Sequence, residues 1–195
     1  MPVRGGHRST ASHASRHRSD GELDVVYLFN RTSAKARALA ERMAGAVRAE
    51  LEVVDSVDAA VRRADIVTCV TSAVEPVLGG SLLAAGAHVN AMGSFRIGMQ
   101  ELDTKAIGRS RVFVDSVEAA LAEAGELVAA EAEGSSTRTE WTEIGRVAAG
   151  RDAGRRSDAE VTLFKSVGQA AQDVVVAARV VQAAQVADRG VVVEL

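Results

Sequence analysis

From Glu22 onward, short β-branched or aromatic runs alternate with helical patterns, and no hairpin turn joins any two of the runs. This pattern restricts the fold more than any other feature, because strands separated by helices pair in parallel through right-handed crossovers. Residues 25–29 (VVYLF) form a near-continuous apolar run of the kind buried on both faces of a sheet. The stretch 34–50 that follows carries Leu39, Met43 and Val47 at i, i+4 and i+8, the spacing of one helical face. Residues 51–54, 66–70, 87–92 and 111–115 predict four more strands, with helices over 56–64, 81–85 and 99–109 between them. The expected fold class is α/β, a doubly wound parallel sheet.

After Asp115 the order changes. Residues 116–127 predict a helix, 131–139 a polar loop, 139–151 a short helix and 160–164 a strand or extended segment. A long helix is expected over 167–187, ended by Asp188-Arg189-Gly190, with 191–195 as a terminal strand. This last third does not continue the βα repeat and reads as a segment that packs elsewhere.

The chain has 195 residues, 47% of them hydrophobic and 25% charged, which suits one globular unit. A net charge of −3 provides no basic field for a nucleic-acid backbone. No apolar run approaches the ~18 residues of a membrane span. Neither nucleic acid nor membrane is an expected partner. The single cysteine, Cys69, lies within an apolar run and reads as core, in keeping with a reducing cytoplasm. Residues 1–21 stand apart: Arg4, Arg8, Arg16 and Arg18 accompany His7, His13 and His17, with almost nothing to enter a core. They read as a disordered basic tail rather than a metal site, since no fold preorganises the histidines. No metal is expected.

In an open parallel sheet, ligands bind beyond the carboxyl ends of the strands, so the residues just after each strand are the candidates. Asn30-Arg31-Thr32-Ser33 follows the first strand, where a dinucleotide site places an acid for ribose hydroxyls or an Arg for a 2′-phosphate. Arg31 beside a helix start suits a phosphate and NADP over NAD; the alternative is an Arg that solvates a helix end. Val70-Thr71-Ser72 opens a small-residue loop fit for a nicotinamide ribose or for an ordinary turn. Ala91-Met92-Gly93 follows the fourth strand, and Gly93 permits close ligand approach. His88, within a strand, reads as a packed core histidine. No G-x-G-x-x-G exists anywhere in the chain.

Taken together, FNRTSAKARALAERM, ADIVTCVTSAVEPVL, GAHVNAMGSFRIGMQELD, RVFVDSVEAALAEAGEL, IGRVAAGR and EVTLFKSVGQAAQD resemble the ornithine cyclodeaminase/mu-crystallin family in order and spacing. The resemblance implies a Rossmann-like sheet over 22–139, a partial NAD(P)-binding domain, and a segment 140–195 that in the family packs back on a substrate and dimerisation domain. It implies that Asn30, Arg31 and Thr32 hold the adenosine 2′-phosphate and that Val70, Thr71 and Ser72 line the ribose and pyrophosphate. Ala91, Met92 and Gly93 would lie under the nicotinamide, Lys165 and Ser166 would reach the cofactor, and Val167 and Gly168 would lie beside the substrate.

Three departures accompany the resemblance. The family's N-terminal substrate domain has no counterpart in the chain. The first strand and its Gly-rich loop are missing, which in the order 3-2-1-4-5-6 leaves two exposed inner edges or forces the halves together. Phe95 stands where the cyclodeaminases carry a catalytic aspartate, and no residue of this chain is assigned a catalytic role. The junction at residue 20 suggests a shortened or frame-shifted gene product, a hypothesis that fails if resequencing reveals no family-like coding sequence upstream. The implied function is an NADP-dependent reductase of a cyclic imino acid such as pyrroline-2-carboxylate, or an amino-acid dehydrogenase, homodimeric in the family. The alternatives are an inactive nucleotide-binding or interaction module and an ornithine cyclodeaminase, the last opposed by Phe95 because a phenylalanine cannot transfer the proton that C–N cleavage needs.

Overall fold

The computed structural model describes the backbone of Ser12–His17 together with residues 23–191 and Val193. The strands are β1 (Ser12–His17), β2 (Leu23–Phe29), β3 (Glu50–Val53), β4 (Ile66–Cys69), β5 (His88–Ala91), β6 (Arg111–Val114), β7 (Thr142–Glu143) and β8 (Thr162–Lys165). The helices are α1 (Ser33–Met43), α2 (Val57–Val61), α3 (Thr104–Gly108), α4 (Val117–Glu123), α5 (Gly125–Ala132), α6 (Ile144–Ala148) and α7 (Ala170–Val186). Ser56, Asp103 and Ser116 start α2, α3 and α4 by accepting the N–H of Ala59, Ala106 and Ala119, which satisfies otherwise orphaned donors.

One sheet runs in the order β3-β2-β1-β4-β5-β8-β6-β7. All its pairings are parallel except those of β1, which is antiparallel to both β2 and β4. The expected doubly wound architecture is therefore present, and three expectations are corrected. The inner edges of β2 and β4 are not left open: Ser12–His17 lies between them as a strand, although its sequence reads as a disordered tail. The open ladders on both sides supply the pairing that its composition does not advertise. The rest of residues 1–21 lies outside the described residues. The boundary at 139/140 does not separate sheet from appendage, because β8 of the last third is an inner strand between β5 and β6. Residues 191 and 193 are not strand, and the remainder of that expected strand lies outside the described residues.

Several helices are also shorter than their patterns suggest: α1 ends at Met43 rather than at 50, and of 139–151 only Ile144–Ala148 is α-helix. The segment before Asp103 laces onto the preceding loop, with Gln100 N–H donating to Ala73 O and Val77 and Leu78 N–H donating to Glu101 O, so α3 begins only at its Asp103 cap. The helix over 116–127 breaks at Ala124 into α4 and α5, where a side chain at Gly125 would overlap the backbone of Met99.

Strand alternation divides the core. Tyr27, Val67, Cys69, Val89, Ala91, Val114 and Leu163 join the main cluster, which α2 to α5 cover, whereas Val26 and Leu28 pack against Ala36 of α1 on the other face. Cys69 is buried, as expected. His88 is half-buried, with Nδ1 2.7 Å from Thr162 Oγ1 and Nε2 3.1 Å from Asn90 Oδ1, which agrees with a structural histidine. Burial, followed by the nearby Arg155 cation, lowers its pKa against the raising effect of the Asn90 bond. Among the described residues no helix is long and apolar enough to cross a membrane.

Candidate active site

The carboxyl ends of β2 and β4 open onto a cavity of about 160 Å³ lined by Phe29, Asn30, Arg31, Thr32, Lys35, Thr71, Ser72, Ala73 and Val77. Five residues singled out in the sequence thus meet in one cleft: Asn30, Arg31, Thr32, Thr71 and Ser72. Asn30 is buried, and its Oδ1 accepts Thr32 N–H at 2.9 Å, which fixes the turn into α1. Arg31, Thr32 and Lys35 are exposed. Lys35 was not singled out in the sequence, yet one helical turn places it in the same cleft as Arg31. The lining holds two cations and no carboxylate.

The other candidates lie outside that lining, Val70 at the end of β4 and the rest along the ends of β5 and β8. Val70 is half-buried, Ala91 buried and Met92 exposed. Gly93 is required for a reason other than the expected ligand approach: a Cβ there would overlap the Thr71 backbone and the Glu101 carboxylate. Glu101 is wholly buried. It accepts Thr71 N–H on Oε1, and Gly93 N–H at 2.7 Å and Ser94 N–H at 3.3 Å on Oε2. One carboxylate therefore joins the loops that leave β4 and β5.

Lys165 is wholly buried and does not present its ammonium to the surface. Its Nζ lies 3.2 Å from Glu126 Oε1, a contact that pairs the charges without hydrogen-bond geometry, and it donates to Ser94 O and, at 3.4 Å, to Ala91 O. Ser94 Oγ bonds the other oxygen of Glu126 and lies 2.9 Å from Met99 O. The cation and carboxylate are each buried, a combination tolerated only when they compensate one another.

Ser166, Val167 and Gly168 follow β8 and are held from the end of β6. Asp115 Oδ2 accepts Ser166 Oγ–H at 2.8 Å, Val167 N–H at 3.1 Å and Gly168 N–H at 3.0 Å. Gln169 Nε2 donates to Asp115 O at 3.0 Å. Gly168 has φ +93°, a conformation other residues rarely adopt. Phe95 is 40% exposed on the loop after β5.

Glu101, Asp115, Glu126 and Ser94 are thus structural members of the site region that sequence reasoning missed. For the three acids the only signal in the sequence was a carboxylate set among apolar neighbours, as in MQELD and AGEL; Ser94 gave none.

The model of the ornithine cyclodeaminase/mu-crystallin family matches residues 4–188. A Delta(1)-pyrroline-2-carboxylate reductase of Bacillus cereus is 42% identical over 158 residues, covering 80% of this chain and 48% of the relative. The ketimine reductase mu-crystallin of Mus musculus is 37% identical over 152 residues, covering 78% of this chain and 45% of the relative. Among solved structures, the Delta(1)-pyrroline-2-carboxylate reductase of Thermococcus litoralis in complex with NADH and L-proline is similar with a TM-score of 0.80 and 32% identity, over 87% of this chain and 52% of that one. The chain spans about half the length of the curated relatives it matches. By sequence and by fold, the chain belongs to the ornithine cyclodeaminase/mu-crystallin family.

Proposed function

We propose that this chain is the dinucleotide-binding part of an NADP-dependent oxidoreductase that reduces a small cyclic imino acid of the pyrroline-2-carboxylate kind. The observation that carries the reading is the cleft in which Arg31 and Lys35 face the Thr71-Ser72 loop with no carboxylate in the lining. Two exposed cations beside a buried Asn30 favour a ribose 2′-phosphate, whereas an acid in that place would favour bare ribose hydroxyls. The reductases that this chain resembles carry the same substrate class in their names, and one was solved with a nicotinamide dinucleotide and proline. When bound, the nicotinamide supplies the hydride; the residues of this chain bind and orient it. In this reading Asn30, Arg31, Thr32 and Lys35 hold the adenosine end, Val70, Thr71 and Ser72 flank the ribose and pyrophosphate, and Ala91, Met92 and Gly93 support the nicotinamide. Lys165 and Ser166 act from below by fixing the loops, and Val167 and Gly168 border the substrate. The working form is a cytoplasmic homodimer.

A second reading, a module that holds nucleotide without turnover, is favoured by one observation: no G-x-G-x-x-G is present and an antiparallel β1 occupies the strand position that would lead into it. Phe95 opposes ornithine deamination. The deciding experiment is a fluorescence titration with NADPH and NADH, with Arg31→Ala alongside. The proposal expects NADPH to bind at least about tenfold more tightly than NADH and the preference to vanish in the variant. Equal affinity for the two cofactors would remove the NADP assignment, and no binding at millimolar concentration would remove both readings.

A further inference from the structure

We infer that Glu101 is a positioning residue that joins the two loops on which the nicotinamide end of the site depends and acts far less on the adenosine end; this rests on the cofactor reading above. Glu101 is not itself part of the cleft lining, but through the Thr71 N–H it holds the wall that faces Arg31 and Lys35. Its carboxylate is wholly buried and receives three backbone N–H groups, one from Thr71 after β4 and two from Gly93 and Ser94 after β5. In the reading above the first of these loops flanks the ribose and pyrophosphate and the second supports the nicotinamide, and β4 and β5 are adjacent strands. The chain secures the second loop from the opposite side as well, because Lys165 donates to the carbonyls of Ala91 and Ser94. Residues 91–94 are thus fastened by their amides to one buried anion and by their carbonyls to one buried cation.

The arrangement demands a carboxylate specifically. A carboxylate accepts on both oxygens, so it can serve two loops at once, whereas an amide offers one acceptor and turns a donor toward the other loop. Glu101→Gln preserves volume and sets an N–H against the N–H of either Thr71 or Gly93, releasing one loop from the other. Glu101→Asp keeps the charge but is one methylene shorter, so it reaches one loop fully and the other poorly. The Asn30 to Lys35 turn lies on the far side of β1, where Asn30 Oδ1 accepts Thr32 N–H and Thr32 O accepts Lys35 N–H.

The test measures two ligands on the full chain and on both variants, with NADPH followed by its nicotinamide fluorescence and adenosine 2′,5′-bisphosphate followed by calorimetry. The expected result is a loss of about tenfold or more in NADPH affinity for Glu101→Gln, with a clearly smaller loss, within about threefold, for adenosine 2′,5′-bisphosphate, which keeps Arg31 and Lys35 while the Thr71 wall is loosened. Glu101→Asp should show the same split at smaller amplitude, and it carries the test if Glu101→Gln does not fold. Unchanged NADPH affinity, or an equal loss for both ligands, overturns the positioning role and leaves the cofactor reading intact. Failure of the unaltered chain to bind either ligand overturns the cofactor reading and this inference with it.

Discussion

Four residues separate two regions that obey opposite rules. β8 is an inner strand whose last residue, Lys165, is a wholly buried cation held by Glu126 and two carbonyls. α7 starts at Ala170, and none of its residues is buried; Val174, Val175, Val176, Val180 and Val181 are all more than half exposed. A charged side chain is inside and a valine-rich face is outside. Residue chemistry alone does not decide burial: the sheet ladder draws β8 inward with its lysine, and compensation by Glu126 makes the position tolerable. Stability should therefore reside in the charged web and not in the apolar helix.

The sharpest way to break that contrast is Lys165→Met. It leaves Glu126 buried without its counter-charge, and a loss of about 3–5 kcal/mol is expected in urea unfolding, partly recovered when Glu126→Gln is added. A neutral outcome for the single variant would show the pair to be dispensable. Asp115→Ala removes the acceptor of Ser166 Oγ–H and of the Val167 and Gly168 N–H groups, at about 1–3 kcal/mol, with faster amide exchange at Val167 and Gly168 while β6 stays protected. Gly93→Ala forces a Cβ into the Thr71 backbone and should cost about 1–3 kcal/mol, detectable as a lowered thermal midpoint.

Smaller still is the effect of His88. Its folded pKa lies below the ordinary value of 6.5, chiefly through burial, so the unfolded chain takes up the proton first as pH falls. Its contribution is full above 6.5 and is lost progressively below it, towards the depressed folded value. Urea midpoints measured from pH 8 down to pH 5 should decline less steeply in His88→Gln; identical profiles would refute the linkage. The smallest effect belongs to Val176→Asp on α7, expected within about 0.5 kcal/mol of the unaltered chain. A large loss there would mean that α7 is packed after all.

The same contrast explains what could be read in advance. The strands β2 to β6 were legible because each is a short run holding β-branched residues, set between helical patterns, and Asn30-Arg31-Thr32 and Thr71-Ser72 were legible because they come just after such strands. Ser12–His17 was not, since SHASRH has neither alternation nor apolar bulk and its pairing comes from the two ladders on either side. Helix length over 99–109 was misjudged because periodicity cannot register that Gln100 and Glu101 are already engaged with the loop 73–78. Lys165 was placed at the cofactor by the family resemblance alone; its burial depends on Glu126, far earlier in the chain and on a different element. Lys35 escaped notice since only the turn of α1 brings it beside Arg31.

The account stands most directly on where a phosphorylated nucleotide binds. The measurement is a titration of the isotopically labelled chain with adenosine 2′,5′-bisphosphate, followed by amide chemical shifts. The account predicts saturable shifts confined to Arg31, Thr32, Lys35, Thr71, Ser72 and their neighbours, abolished in Arg31→Ala. Shifts centred on any other part of the sheet, or none at millimolar ligand, would contradict it.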